Sequence, residues 1–296
     1  MPSVSVVICS RDRSAQLEEC LRALNVLCYP NLEIVVVDNG TRPEETESLA
    51  DRYGARYARE PIAGVSRARN RGARFVQSEI VAFFDDDAVP SKDWLCRLVE
   101  EFSDPSVMIV TGAIRPTSEP YGSLDLHFAQ RGQRRVFDSR TTGWFAGVNF
   151  GAAGDGANMA FRRRVFEEWP GFNERLGLGT TIRGSAEHNA FFEVVKRGHR
   201  LVFTPDAVVY HPFPETLAEA QNRYRRTTEA TFAYMAFLFF SEPKHRWEIL
   251  SFLAKGVARR LTFQRKNSFV SRWKEFRSLV GGLAPGLRKN LRGKNS

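Results

Sequence analysis

Short apolar runs and helical spacings take turns along the first two-thirds of the chain. Ser3 to Cys9 (SVSVVIC), Leu32 to Val37 (LEIVVV) and Ile80 to Phe84 (IVAFF) read as strands, the last an unbroken apolar run of the kind buried on both faces of a parallel sheet. Between the first two, Leu17, Leu21, Leu24 and Leu27 recur at helical spacing behind a potential cap at Ser14, and a second helix from Pro43 to Tyr53 is stopped by Gly54. Ala55 to Ala58 is a weak third strand, and GVSRARNRGA (Gly64 to Ala73) is a loop entering an arginine-rich helix. Pro90 ends the Ile80 strand, and Ser91 is placed to cap a helix over Lys92 to Phe102. Past Val110 the periodicity weakens, and residues 115–157, rich in Gly, Arg and aromatics, suit loops over a site. GDGANMAFRR (Gly154 to Arg163) reads as a glycine-rich turn with a helix behind it. Residues 186–197 predict a helix ending at Gly198, and Leu201 to Phe203 and Ala207 to Tyr210 predict two further short strands. Strands alternating with helices imply right-handed βαβ units, so the fold class is α/β, a mainly parallel twisted sheet flanked by helices.

The polar residues that interrupt this pattern carry the chemistry. Asp85, Asp86 and Asp87 follow the Ile80 strand directly, and Asp38 follows the Leu32 strand. Open α/β sheets bind ligands at the carboxyl ends of their strands, so both positions face one crevice. Three adjacent carboxylates repel one another, and such a group suits a divalent cation, Mg²⁺ or Mn²⁺, bridged to phosphate. The competing interpretation is a solvated acidic loop. No GxGxxG follows the first strand and no GxxxxGK[ST] occurs, which excludes the dinucleotide and P-loop classes on their own residues.

Composition adjusts the picture in three places. The chain has 296 residues, 43% hydrophobic, enough core for one large or two small domains. Cys9, Cys20, Cys28 and Cys96 lack CxxC spacing and lie among apolar residues, which predicts reduced core thiols of a cytoplasmic protein. Met1 to Ser10 runs straight into a strand without the profile of a secretory leader, and no apolar run reaches the roughly 20 residues that span a bilayer. Finally, the net charge of +9 is uneven: 14 Lys and Arg against 3 Glu fall in 241–296, leaving 29 basic against 31 acidic residues in the rest. Trp247 to Leu261 has apolar residues at helical spacing with Arg246, Lys255, Arg259 and Arg260 interleaved. Arg265, Lys266, Arg272, Lys274 and Arg277 follow with Phe269, Trp273 and Phe276 among them. This describes either a helix lying on an anionic membrane surface or one packed on its own domain. The apolar stretch Phe232 to Phe240 is core or an interfacial anchor, and 286–296 reads as disordered.

SVVICSRDR (Ser5 to Arg13), VVVDNG (Val35 to Gly40), GVSRARNRG (Gly64 to Gly72), FFDDDAVP (Phe83 to Pro90), GANMAFRR (Gly156 to Arg163) and the segment Arg183 to His211 together resemble the inverting glycosyltransferases of family 2. The resemblance implies a GT-A fold: a nucleotide-sugar-binding half over 1–114 and an acceptor-binding, catalytic half over 115–215. Residues 216–296 then add a helical, basic extension. By resemblance, Asp38 contacts the nucleotide base, Ser10 and Arg11 pack on base and ribose, and Arg67, Asn70 and Arg71 belong to a second nucleotide-contacting segment. The DxD motif maps onto Asp85 and Asp87 with Asp86 between them, the first acid near the ribose and the last on the metal. His211 is either a further metal ligand or a strand-end histidine bonded to backbone. Trp144, Asp155 and Asn158 are the candidate acceptor contacts, with core packing as the other interpretation of the Trp144–Phe145 pair.

Transfer from a nucleotide-diphosphate sugar releases a diphosphate, whose growing charge a divalent ion stabilises. The acceptor hydroxyl needs a general base on the opposite face of the sugar carbon. In the family that base is the aspartate of a Gly-Glu-Asp motif, and here the sequence departs from it: Gly184, Ser185, Ala186, Glu187, His188, Asn189. Counting eleven residues back from Gly198 places the base on Glu187, and the alternative register places it on His188. The expected partners are a nucleotide-diphospho-sugar donor, a glycan or lipid-linked acceptor and an anionic membrane surface reached through 241–296, with no specific nucleic acid. The expected location is cytoplasmic or peripheral on the inner face of the plasma membrane. Two other classes stay open: a nucleotidyltransferase on a related fold, and a non-catalytic basic protein that binds nucleic acid or membrane.

Overall fold

The computed structural model describes residues 1–119, 132–151 and 153–262, and of 255–262 the backbone alone. The basic and aromatic residues noted from Arg265 onward, the disordered end expected at 286–296 and part of the loop region at 120–131 lie outside the described residues.

The first half follows the sequence pattern closely. Strand β1 (Val4–Ser10), helix α1 (Ser14–Leu24), β2 (Leu32–Asp38), α2 (Pro43–Arg52), β3 (Arg56–Arg59), α3 (Val65–Phe75) and β4 (Ile80–Asp85) come in that order. All the strand pairs among them are parallel, with β1 between β2 and β4 and β3 outermost. Ser14 is the first residue of α1 rather than its cap, and Arg13 before it is thereby free to reach elsewhere.

Beyond β4 the chain adds β5 (Val89–Pro90), α4 (Trp94–Glu100), β6 (Val107–Pro116), β7 (Arg135–Phe137), α5 (Trp144–Asn149), β8 (Asn158–Arg162), α6 (Val165–Glu168), α7 (Ala186–Lys196) and β9 (Arg200–His211). Here β8 runs antiparallel between β4 and β6, and β6 pairs with β9 in parallel. The sheet of nine strands reads β3-β2-β1-β4-β8-β6-β9-β5, with β7 also on β9. Two expectations are corrected. The segment behind Gly154 forms a strand, because Asn158–Arg162 is too short and too evenly buried for a helix and fills the space between β4 and β6. The two short strands predicted around residue 205 are one, β9, interrupted by an irregularity opposite Gly112 and Ala113.

One face of the sheet packs Val4, Val6 and Ile8 of β1 with Ile80, Ala82 and Phe84 of β4 against Leu17, Leu21 and Leu24 of α1 and Trp94 of α4. On the other face α3 presses against β1: a Cβ on Gly72 would come within 2.4 Å of Val7, so only glycine allows this approach. Cys20 is buried and Cys9 and Cys96 half-buried, as expected of core thiols, but Cys28 stands exposed.

The chain divides into two units, Met1–Glu174 with Ala186–Phe213, and Arg175–Ser185 with the chain from Pro214 onward. The sheet belongs to the first. Among the described residues the second holds two helices, α8 (Leu217–Ser241) and α9 (Arg246–Thr262), joined by a 3₁₀ turn over Pro243–His245. Thr216 and Glu219 cap α8 reciprocally. Among the described residues no helix is long and apolar enough to cross a membrane.

Candidate active site

Strand β4 ends at Asp85, and a turn closed by Ala88 N–H donating to the Asp85 carbonyl presents Asp86 and Asp87 (3.2 Å). Strand β9 ends beside it at His211, held in place because Val89 and Pro90 pair with Tyr210 and Val209. Asp85, Asp87 and His211 thus offer three ligand atoms within 4.8 Å of one another.

The three carboxylates have separate surroundings. Asp86 turns inward and accepts from Ser10 Oγ and Arg13 Nη1, both at 2.8 Å. Asp87 Oδ2 accepts from the same Arg13 nitrogen at 3.0 Å. Asp85 lies 3.7 Å from Arg69 Nη2 and 3.8 Å from His211 Nε2. Burial pushes Asp85 up to about 6: repulsion from Asp87 and Asp155 adds to it, and Arg69 and His211 cancel only part. Burial likewise raises Asp86, against the pull of Arg13 and Ser10. Burial also works against the charge on Asp87, but His211 and Arg13 outweigh it and hold this carboxyl below its ordinary value.

His211 resolves into two roles, one at each ring nitrogen. Nδ1 lies 2.8 Å from the Pro212 carbonyl, to which it donates, and Nε2 faces the acids, 3.1 Å from Asp87 Oδ1. That oxygen is buried and makes no hydrogen bond. A buried carboxylate oxygen and an imidazole nitrogen facing each other without hydrogen-bond geometry, with the second ring nitrogen fixed by a carbonyl, is how a metal-ligating histidine is usually oriented. Two carboxylates and an imidazole suit a divalent ion such as Mn²⁺. The residues present fit a divalent metal.

Burial acts to lower His211, but the adjacent Asp87 carboxylate and then the charge of Asp85 win and raise it to about 9. The sign of the resulting pH dependence follows. In the metal-free protein this pair contributes stability that is complete below about 6.5 and lost as pH rises through 9. A metal takes the neutral imidazole, so binding between pH 6.5 and 9 releases one proton, and affinity should rise about tenfold per pH unit. Mn²⁺ titration by calorimetry in buffers of different ionisation enthalpy checks this; a flat affinity over that range would contradict it.

At the end of β2, Asp38 is completely buried. Its Oδ1 accepts from Gly40 N at 2.8 Å, and its Oδ2 accepts from Arg59 at 2.6 Å and from the Tyr57 hydroxyl at 3.1 Å. Burial, followed by the Asp38 charge, pushes the Tyr57 hydroxyl up to about 12. Asp38 therefore shapes the Gly40 turn and holds Arg59. Asp38→Ala should destabilise the fold near the lower end of the roughly 3–5 kcal/mol seen when one partner of a buried pair is removed, because Arg59 is 31% exposed. Thermal or denaturant unfolding measures this; an unchanged midpoint would show the network to be ornamental.

The remaining candidates separate. Ser10 is spent on Asp86, and Arg11 is exposed, 4.0 Å from Asp12. Arg67 pairs with Glu174 at 2.7 Å. Asn70 is buried and exchanges hydrogen bonds with the backbone of Phe172, and Arg71 lies over the Phe75 ring with a buried Nε that lacks a hydrogen bond. Asp155 is near enough to Asp85 to repel it. Asn158, expected at the acceptor, is turned inward: it donates to the Ala113 and Ala207 carbonyls and accepts from Trp94 Nε1, so its carboxamide braces β6 and β9 instead. Trp144 stacks on Phe192 of α7, with ring planes 2° apart. Glu187 and His188 occupy the first turn of that helix, Oε1 and Nδ1 3.3 Å apart, with both His188 nitrogens buried and without hydrogen bonds.

Two site residues escaped the sequence reading. Arg13 ties Asp86 to Asp87, and Arg69, 6% exposed, donates to the Gly156 carbonyl at 3.2 Å while lying beside Asp85. Both lie within segments singled out on other residues. Their signal was the excess of arginine facing three adjacent acids.

This sheet, with its acids at the strand ends, is that of a GT-A glycosyltransferase. The model of glycosyl transferase family 2 matches residues 5–169, more than half of the chain, and the chain belongs to that family. It is 25% identical over 235 residues to the glucosyl-dolichyl phosphate glucuronosyltransferase of Haloferax volcanii, covering 73% of this chain and 71% of that protein. It is 28% identical over 234 residues to the succinoglycan biosynthesis protein ExoM of Rhizobium meliloti, covering 75% and 72%. Among solved structures it resembles the mannosyltransferase PcManGT from Pyrobaculum calidifontis in complex with GDP-Man and Mn²⁺, with a TM-score of 0.62, 19% identity and coverage of 99% and 88%. It also resembles residues 1–349 of TarS from S. aureus in complex with UDP-GlcNAc, with a TM-score of 0.59, 15% identity and coverage of 97% and 81%. At these identities the structural likeness speaks to the fold.

Proposed function

We propose that this glycosyltransferase moves a sugar from a nucleotide-diphosphate donor to an acceptor hydroxyl with inversion, in the synthesis of a glycan or cell-envelope polysaccharide. The observation that carries this reading is the Asp85–Asp87–His211 cluster, in which a buried Asp87 oxygen faces an oriented imidazole. These three residues would hold Mn²⁺ or Mg²⁺. When bound, that ion supplies Lewis-acid stabilisation of the diphosphate's developing charge.

The chain's own residues do the rest. Arg13 fixes Asp86 and Asp87 relative to each other, so the acidic turn keeps its shape as a charged donor arrives. Arg69 offsets Asp85 from inside. The Asp38–Arg59–Gly40 network sets the wall against which a nucleobase rests. Glu187 takes the acceptor's proton as the hydroxyl attacks in line, and His188 stands beside it. The backbone supports this register: Ser185 has φ 60°, a region that favours glycine, so the motif's glycine falls on Ser185 and its aspartate on Glu187.

A thermal-shift screen of nucleotide-diphosphate sugars with and without Mn²⁺, followed by transfer assays on the hits, tests the proposal. The expected result is a metal-dependent rise in midpoint with at least one donor, because ligands that bind only the folded state stabilise it. A uniform absence of shifts across uridine, guanosine and thymidine diphosphate sugars would overturn it.

A further inference from the structure

Helix α9 carries apolar side chains on two sides. Ile249 turns inward at 1% exposure, with Leu253 half-buried near it. On the opposite side Trp247 is 78% exposed and Leu250 45% exposed, and at a spacing of three residues they share one helical face with exposed Ala254. Phe240, in the last turn of α8, is another 45% exposed. A helix that only packs on its own domain turns polar residues outward. A nearly bare indole beside an exposed leucine is instead apolar surface that water disfavours, and such patches mark contact sites.

The charges around this patch select its occupant. Lys244 and Arg246 stand exposed next to Trp247 and are matched there by Glu242 and exposed Glu248, so the positive excess comes from the chain that follows; the Arg246 guanidinium lies 5.2 Å above the Phe239 ring while its Nε donates to the Phe239 carbonyl. The stretch 241–296 carries 14 basic residues against 3 acidic ones, whereas the rest of the chain is nearly balanced. A second copy docking face to face would bring two such segments together, and like charge disfavours that. A nucleic acid would meet the cations but would leave the aliphatic side chains without a partner. An anionic bilayer meets both, since its interface takes up tryptophan and leucine while its headgroups attract lysine and arginine.

We propose that the face bearing Trp247 and Leu250 seats the protein on the interface of an anionic membrane. Lys244 and Arg246 lie against its phosphates. The anchor is independent of sugar transfer, because none of these residues belongs to the acid cluster or to α7.

Co-sedimentation of the full chain with vesicles of phosphatidylcholine alone, and of phosphatidylcholine with phosphatidylglycerol, tests this. The expected result is salt-sensitive binding to the anionic vesicles. The double variant Trp247→Ser, Leu250→Ser should bind about tenfold more weakly or worse, with unchanged circular dichroism and unchanged response to Mn²⁺. Lys244→Glu should weaken binding at low salt and lose the difference at high salt. The proposal is overturned if the double variant pellets as well as the parent, or if the parent binds neither vesicle. It is equally overturned if the substitutions abolish a concentration-dependent dimer while vesicle binding stays absent.

Discussion

Replacing Asp87 by alanine is expected to lower metal-dependent transfer by about 10²- to 10³-fold, the range lost when one preorganised group that stabilises developing charge is removed. The argument rests on its two oxygens. Oδ1 is buried, unbonded and 3.1 Å from His211 Nε2, and Oδ2 holds Arg13 at 3.0 Å. Alanine removes one of the three candidate metal ligands and one of the two acids on Arg13, yet leaves Arg13 its shorter contact with Asp86. Mutual repulsion of three adjacent carboxylates would by itself make the deletion of one a relief. The structure reverses the expectation, because Oδ2 is bonded to Arg13 and Oδ1 lies against the His211 imidazole, so both carboxylate oxygens face positive or ring-nitrogen groups. A modest fall in thermal midpoint should therefore accompany the loss of activity, without loss of secondary structure. Initial rates against Mn²⁺ concentration decide the matter: unchanged metal dependence in the variant would remove Asp87 from the site.

Glu187→Gln is expected to keep donor binding and lose about 10²- to 10⁴-fold in kcat, the usual worth of a positioned base. His188→Ala should cost much less, since the imidazole only borders the carboxylate, Nδ1 to Oε1 at 3.3 Å. If His188 were the base, the order of the two variants would reverse, and the acid limb of the kcat/KM profile would report an imidazole. The φ of 60° at Ser185 favours the first outcome. If neither substitution lowers transfer, the base lies elsewhere, and Asp155, near Asp85, is the next residue to change.

What was legible in the sequence was whatever a short window determines. The apolar run Ile80 to Phe84 ending in acids gave both a central strand and the metal candidates, because strand burial and strand-end placement are local properties. Asn158 misled for the opposite reason. A polar residue in a glycine-rich motif resembles a site residue until one sees that Trp94, Ala113 and Ala207, distant in sequence, consume its hydrogen bonds. Arg13 and Arg69 were hidden in the same way: their worth lies in partners more than a dozen residues away, which spacing does not encode. The strand at Asn158–Arg162 was misjudged because a five-residue apolar stretch fits a strand or the start of a helix equally well.

The interruption of β9 has a consequence for how the enzyme tolerates change. Leu201 to Phe203 are registered by β7 and by the start of β6, whereas Val208 to His211 are registered by β5 and the end of β6. Pro205, Asp206 and Ala207 lie between and pair with nothing on β6, and Asp206 is exposed. The segment behaves as an expansion joint. A residue inserted at Asp206 would lengthen the joint and leave His211 aimed at Asp87. The same insertion after Val208 would slide the paired part by one place and turn the imidazole to the opposite face of the sheet. Two insertions a few residues apart would then yield one enzyme with the Asp85–Asp87–His211 cluster intact and one without it, both on the same scaffold.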